Sequence, residues 1–398
     1  LPDNYFSRLN LDPSKLSALL DTVNDIDTVA DNENDIVGRI YEYFLGRFAS
    51  VEKKGGGEFY TPKCVVNLIA EMLEPFKGKI YDPACGSGGM FVQSLKFVEN
   101  HQGNTKDISI YGQEYTATTY KLAKMNLAIR GISANLGEVP ADTFTKDQHP
   151  DLKADYIMAN PPFNQDQWRE KGELEDDPRW AGFTTPPTGN ANYAWILHML
   201  SKLSDKGTAG FVLANGSMSS NTSGEGDIRK QLIENDLVDC IIALPGQLFY
   251  STQIPVCLWF ITKSKKDDPE HDYKERQGNT LFIDARNMGS MVDRTHKELT
   301  QEDIGDITKT YHAWRGEQKD GDYEDVAGYC KSATLEEIKT NDFVLTPGRY
   351  VGVAEEEDDG IPFEEKMSAL NTKLKEQMKQ SEALDIEICE NLKLLGYE

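Results

Sequence analysis

Lys79-Ile80-Tyr81-Asp82-Pro83-Ala84-Cys85-Gly86-Ser87-Gly88-Gly89-Met90 decides how this chain is read. Lys79 to Asp82 forms a short apolar strand, a glycine turn follows, and a helix runs from Gly89 to about Asn100. Gly86, Gly88 and Gly89 let the backbone approach a ligand closely and take positive φ where needed. The helix that starts near Gly89 points its first, unpaired N–H groups toward whatever lies before the turn. Dinucleotide-binding proteins share this device. The adjacent Gly88-Gly89 and the leading Asp82-Pro83 depart from their spaced fingerprint.

Working outward, strands and helices alternate. A helix at 64–75 precedes the turn. After it come a strand from Ile108 to Gln113, a helix from Thr116 to Arg130 and a strand near Asn135-Leu136-Gly137. Then follow the strand Ala154–Ala159, a helix from Tyr193 to Leu203, the strand Thr208–Ala214 and a helix from Ile228 to Asn235. Val238–Leu244, Val256–Thr262 and Thr280–Asp284 read as further strands. Such alternation implies an α/β fold with a mostly parallel, doubly wound sheet. Ligands of such sheets bind at the carboxyl ends of the strands. Upstream, Ser14–Asp25 and Asn34–Phe48 carry apolar residues at helical spacing, and Lys53-Lys54-Gly55-Gly56-Gly57 reads as a hinge. The expected division is a helical segment at 1–54, an α/β catalytic domain at 55–353, and an acidic linker with a C-terminal helix at 354–398.

The chain of 398 residues carries 66 acidic and 42 basic residues, a net charge of −24. Duplex DNA binding draws much of its affinity from Lys and Arg, so a DNA enzyme of this charge needs either one basic groove or a DNA-binding partner. The hydrophobic fraction of 39% fits a folded protein. No apolar run approaches the ~20 residues that span a bilayer, and no secretory signal opens the chain; a cytoplasmic location is expected. The six cysteines are scattered with no C-x-x-C pair, and the histidines do not cluster. Neither a disulfide frame nor a protein-bound metal is expected.

A second stretch carries the chemistry. Asn160-Pro161-Pro162-Phe163 follows the strand Tyr156-Ile157-Met158-Ala159. The Asn side-chain carbonyl can accept an N–H, and Pro161 offers a carbonyl while donating nothing. The two prolines stiffen the loop, and Phe163 offers a flat apolar face. The motif resembles that of DNA N6-adenine methyltransferases. With it, in order, stand Gly57-Glu58-Phe59-Tyr60-Thr61-Pro62-Lys63, the glycine turn, Tyr111-Gly112-Gln113-Glu114-Tyr115 and Ala141-Asp142-Thr143-Phe144. The whole order resembles the modification (methyltransferase) subunit of type I restriction–modification systems, from about Asp35 to the C-terminus.

That resemblance implies a Rossmann-like S-adenosylmethionine-dependent fold, with strands from Val256 on entering antiparallel. It places the cofactor's methionine end along Glu58, Phe59, Tyr60, Thr61, Pro62 and Lys63. The glycine turn, with Asp82, Ala84, Gly86, Ser87, Gly88 and Gly89, would cradle the cofactor. Glu114 would accept the ribose hydroxyls, and Asp142 and Thr143 would sit at its adenine ring. Asn160, Pro161, Pro162 and Phe163 would be catalytic, on an adenine flipped from the duplex. The implied partners are DNA, a specificity subunit that reads the target (with two modification subunits to each) and a restriction subunit. Family members usually carry a longer helical N-terminal region, so this sequence, which opens at Leu1, either lacks part of it or is a short variant. A stand-alone type II adenine methyltransferase and a protein glutamine N5-methyltransferase are the alternative enzymes. A scaffold with lapsed catalysis is the non-enzymatic one.

Three further segments are legible. Gln165 to Thr188 is a long charged loop that either covers the flipped base, touches DNA or is a mobile surface insertion. Asn190-Ala191-Asn192-Tyr193 opens a helix, with Asn192 as its N-cap; Asn215-Gly216-Ser217 reads as loop architecture near the same pocket. From Glu355 on, 13 acidic residues stand against 5 basic ones, and Phe363, Met367, Leu370, Leu374, Met378, Leu384, Ile388 and Leu392 form a partial coiled-coil seam from Pro362 to Leu395. A partner helix, rather than the chain's own core, is the sharper reading of that seam.

Overall fold

The computed structural model describes residues 61–249, 254–317, 320–353 and 363–394, together with Ser14, Ser17 and Asp21. Apart from Ser14, Ser17 and Asp21, the two N-terminal helices expected from sequence lie outside the described residues, as do the Lys53–Gly57 hinge, Glu58, Phe59, Tyr60 and the acidic linker. The chain divides into two compact units, Leu1–Val353 and Ala354–Glu398.

The first unit is built on one nine-stranded sheet. Its strands are β1 (Gly78–Asp82), β2 (Ile108–Gly112), β3 (Ala134–Asn135), β4 (Ala154–Ala159), β5 (Leu203–Ala214), β6 (Val238–Ala243), β7 (Val256–Thr262), β8 (Asn279–Asp284) and β11 (Cys330–Thr334). β9 (Ser290–Met291) and β10 (Lys297–Glu298) pair separately. The order across the sheet is β11-β8-β6-β7-β5-β4-β1-β2-β3. β1, β2, β3, β4 and β5 run parallel. β7 is antiparallel to both β5 and β6. The expectation that every late strand enters antiparallel is corrected here, because β8 pairs parallel with β6 and only β11 runs against it.

The helices are α1 (Lys63–Leu73), α2 (Gly89–Asn100), α3 (Ala117–Ile129), α4 (Asn192–Lys202), α5 (Glu225–Glu234), α6 (Gln301–Arg315), α7 (Leu335–Thr340) and, in the second unit, α8 (Phe363–Leu394). Strand residues alternate between two apolar layers. Ile80, Met158, Leu258 and Phe260 join α1, α2, α3 and α6 on one face. Tyr81, Ile157, Trp259 and Ile261 join α4 and α5 on the other. A sheet covered on both faces needs strands apolar on both sides, and all seven residues of β7 are buried.

α1 starts after Pro62, buries eight of its eleven residues, and stops at Glu74, whose left-handed backbone (φ 47°) returns an N–H to the Ala70 carbonyl. α2 starts from Gly88, at φ 80°, the left-handed region that glycine enters without a side-chain clash. β5 begins at Leu203, earlier than its apolar pattern from Thr208, because Ser204-Asp205-Lys206 extends past the covered part of the sheet and stays polar.

Candidate active site

β4, β1 and β2 are neighbours, so the chain that leaves their carboxyl ends converges on one place. Asp82 ends β1 and is 2% exposed; its Oδ1 accepts the Ala84 N–H at 3.0 Å, which closes the glycine turn. The backbone zips the neighbouring exits together, with the Gln113 N–H on the Asp82 carbonyl and the Cys85 N–H on the Gln113 carbonyl. Glu114, past β2, turns its carboxylate onto this same turn. Its Oε2 accepts the Gly86 N–H at 3.1 Å, and its Oε1 accepts the Thr116 N–H at 2.7 Å. Burial, with Glu114 adding to it, pushes the Asp82 carboxyl up to about 8 against the lowering effect of the Ala84 N–H.

A cavity opens in front of the turn. Asp82, Ala84, Gly86, Ser87 and Gly89 line it, together with Thr61, Lys63 and Asn160. A Cβ built on Gly86 or Gly89 would meet nothing within 4 Å, so the turn leaves a cradle open to a ligand. At one wall the Asn160 amide is fixed by its Nδ2, which donates to Thr61 Oγ1 at 2.9 Å. Its Oδ1 is buried and has no hydrogen-bond partner among the described residues. A buried acceptor left without a donor costs ~1–3 kcal/mol, and a ligand N–H is the natural remedy. The Phe163 ring, three residues on, packs edge to face with Phe249 at 5.9 Å.

Of the other sequence candidates, Thr143 is buried and gives its hydroxyl to the Pro83 carbonyl at 2.6 Å. Asp142 Oδ1 accepts the N–H groups of Phe144 and Thr145, both at 2.8 Å. Pro62, Gly88, Glu114, Asp142, Thr143, Pro161, Pro162 and Phe163 do not line the cavity, although Glu114 and Thr143 bond directly to the turn that does.

Residues 32–359 match the description of N-6 DNA methylases. The chain belongs to the N-6 DNA methylase family. It is 57% identical over 364 residues to the type I restriction enzyme HindI methylase subunit of Haemophilus influenzae, covering 92% of this chain and 79% of that one. It is 42% identical to the MjaIX methylase subunit of Methanocaldococcus jannaschii, covering 98% of this chain and 69% of that one. The solved type I methyltransferase subunit from Streptococcus thermophilus superposes with a TM-score of 0.72 at 28% identity, covering 85% of this chain and 68% of that one. The chain is thus a type I restriction–modification methylase subunit, of the adenine-specific DNA methyltransferase class, and its sheet is the Rossmann-like one expected.

Several residues of this methylase escape a sequence reading. Asn126 lines the cavity and holds the turn, its Nδ2 donating to the Ser87 carbonyl at 2.8 Å. The available signal was a polar residue on the face of α3 that otherwise buries Tyr120, Ala123 and Leu127. Gln113 ties its side chain to the carbonyls of Ala141 and Lys146. Cys85 lines the cavity too, but burial and then the Asp82 charge push its thiol well above the usual range. Asn192 is not the cap of α4, since the cap position falls on Ala191 with no side-chain bond. Instead Asn192 Oδ1 accepts the Asn164 N–H at 3.0 Å, and its Nδ2 donates to Asn164 Oδ1 at 2.9 Å. The pair clamps the exit of the Asn160-Pro161-Pro162-Phe163 loop. Asn215 Oδ1, past the end of β5, is another buried acceptor with no partner. Among the described residues two groups bring three residues of metal-ligating type together, Glu74-His312-Glu317 and Asp268-Glu270-His271, and neither shares a residue with the cavity.

Proposed function

We propose that this methylase transfers a methyl group from S-adenosylmethionine to N6 of an adenine turned out of the duplex. The observation that carries the reading is the Asn160 amide, with its nitrogen fixed on Thr61 and its oxygen buried and unanswered at the wall of the glycine-turn cavity. The residues present fit the cofactor, given the open cradle at Gly86 and Gly89 and the Asp82 carboxyl beside it. Thr61, Lys63, Asp82, Gly86, Ser87, Gly89 and Asn126 would hold it, with Glu114 and Thr143 supporting the turn; Pro62 and Asp142, and Glu58, Phe59 and Tyr60 outside the described residues, are the further contacts that the family resemblance implies. When bound, it supplies a methyl on a sulfonium that needs neither a metal nor a covalent enzyme intermediate.

The protein's own task is to make a poor nucleophile attack. The N6 lone pair is delocalised into the adenine ring. Asn160 Oδ1 and the Pro161 carbonyl accept the two amine hydrogens, favour a pyramidal nitrogen and fix its direction. The gain is electrostatic and positional. Pro162 keeps the loop stiff, and Phe163 gives the extruded base a stacking face.

The unit Leu1–Val353 covers, on this reading, the helical segment 1–54 and the catalytic domain 55–353, while 354–398 docks a partner. The partners are a specificity subunit, shared by two modification subunits, and a restriction subunit in the full complex. None of the helices described is long and apolar enough to cross a membrane, and the cytoplasm, where chromosomal DNA lies, is the proposed site of action.

The test is transfer of label from S-adenosylmethionine to genomic DNA by the chain with its co-expressed genomic neighbour. Parent protein should yield N6-methyladenine, and Asn160→Ala should lose at least ~10²-fold in rate while still binding the cofactor. An Asn160→Ala protein that methylates at the parent rate refutes the assignment.

A further inference from the structure

The loop that leaves the Asn160-Pro161-Pro162-Phe163 motif does not drift into solvent. Trp168 and Trp180 are 5% and 3% exposed, and their indole N–H groups bond the Pro187 and Leu174 carbonyls. Trp168 packs on Phe144 at 4.6 Å, with Trp195 on that ring at 4.3 Å. Arg179, immediately before Trp180, is nearly as buried, with its side chain 11% exposed.

All five N–H donors of the Arg179 guanidinium have acceptors. Nε and Nη2 grip the two oxygens of Asp177, at 2.8 and 2.7 Å. Nη2 also donates to the Phe144 carbonyl at 2.6 Å, and Nη1 donates to the Thr143 carbonyl at 3.1 Å. The fifth bond runs from Nη1 to His198 Nδ1 at 3.3 Å. Accepting there leaves the neutral ring's one N–H on Nε2, facing the Tyr81 hydroxyl at 3.1 Å, one residue before Asp82. Thr143 in turn gives its hydroxyl to Pro83, inside the glycine turn.

We infer that Arg179 is a positioning residue for the methyl donor, because it locks the loop after the catalytic motif onto the Thr143 and Phe144 carbonyls, and Thr143 in turn holds the Pro83 carbonyl of the glycine turn that lines the donor cavity. The inference rests on the methyl-donor reading of the cavity. A guanidinium suits the task because its planar fork reaches two successive carbonyls and a carboxylate at once, whereas an ammonium reaches fewer of them in fixed directions. The cost of a misplaced segment falls on binding, since the hydrogen bonds of Thr143 run to Arg179 and to the glycine turn of the donor cavity, and not to Asn160, the residue that would orient the accepting amine.

The test is calorimetric titration of S-adenosylmethionine into the full chain complexed with its co-expressed specificity partner, alongside steady-state methylation of DNA. Arg179→Gln should raise the dissociation constant about tenfold or more and raise KM in step, with kcat at saturating donor within about threefold of the parent. Arg179→Lys, which keeps the charge, should recover part of the loss. Asp177→Asn, which leaves both carbonyl contacts available, should cost about two- to threefold. If Arg179→Gln does not fold by circular dichroism, the Lys and Asp177→Asn values decide in the same way. Donor affinity within twofold of the parent in the folded variants overturns the inference and leaves the methyltransferase reading intact. A parent complex that binds no S-adenosylmethionine removes both.

Discussion

Asp82 is a carboxyl that the fold buries to 2% exposure, with Glu114 close enough to oppose its charge. An Asp in the unfolded chain titrates at ~3.9, whereas burial raises Asp82 to about 8 in the folded protein. The folded state therefore holds a proton that the unfolded state has released, and ligand-free stability from this group falls as pH climbs from ~4 toward 8. Any positive charge or hydrogen-bond donor brought to Asp82 favours the ionised form, so such a ligand drives a proton off. S-adenosylmethionine should bind more tightly as pH rises toward about 8 and level off above it. Calorimetry in buffers of different ionisation heat should detect net proton release near pH 7. The release should vanish in Asp82→Asn, and equal release from that variant would place the titration elsewhere. The role of a turn residue was readable from Asp82-Pro83 and the glycines. The orphaned oxygen of Asn160 was readable only as a residue type, because its isolation depends on Thr61, 99 positions away, taking the other end of the amide.

α6 is held to α1 by a hydrogen bond from His312, whose ring is also ion-paired with Glu317 just past the end of α6. His312 Nδ1 faces Glu317 Oε1 at 2.5 Å, and its Nε2 faces the Glu71 carbonyl at 3.0 Å. Both ring nitrogens meet acceptors, so the imidazolium is the form that satisfies them, and neither keeps a lone pair for a metal. Burial opposes the charge, but Glu317 overrides it, and the His312 pKa lies above its ordinary value. A raised histidine adds stability that is complete below its unfolded pKa of ~6.5 and is lost as pH rises through the folded value. Urea unfolding should show that loss above neutrality. His312→Gln should cost ~1.5–3 kcal/mol near pH 6, since it replaces a charged donor to the Glu317 carboxylate by a neutral one, and should flatten the pH profile; an unchanged profile would assign the dependence to another group. At this scale the parallel strands were legible, because apolar runs such as Val238–Ala243 must face helices on both sides. β11 was not, as Cys330-Lys331-Ser332-Ala333-Thr334 buries only Cys330 and Ala333 fully. The loop from Gln165 to Thr188 was legible in extent only. Its order comes from Trp168 packing on Phe144, Trp180 packing on Trp168, and Arg179 reaching the Thr143 and Phe144 carbonyls, contacts that no local pattern announces.

The whole molecule carries a charge of −24, and that bears on how it meets DNA. Phosphate neutralisation supplies most non-specific affinity, and an excess of 66 acidic over 42 basic residues works against it. The basic surface is then best brought by a partner, which needs somewhere to dock. α8 offers a row of exposed apolar side chains: Met367, Leu370, Leu374, Met378, Leu384 and Ile388 are 48–61% exposed. Their spacing follows one stripe of a helix, as in a coiled-coil seam. An apolar row left in water is an unusual expense for a soluble helix, and each Leu or Met covered by a partner contributes ~1.5–3 kcal/mol. The same helix has too many carboxylates to favour phosphate, so a protein helix rather than DNA is the occupant its chemistry suits. Leu370→Glu combined with Leu374→Glu puts two charges into the stripe without touching any residue of the cavity. Co-expression should show the specificity partner lost from the doubly substituted chain, while S-adenosylmethionine binding stays at the parent value. Duplex binding at ~50 mM salt should disappear along with the partner. Co-purification at the parent ratio would move the docking surface off α8. Duplex binding by the partner-free chain would mean that its few cations already form a groove sufficient for DNA.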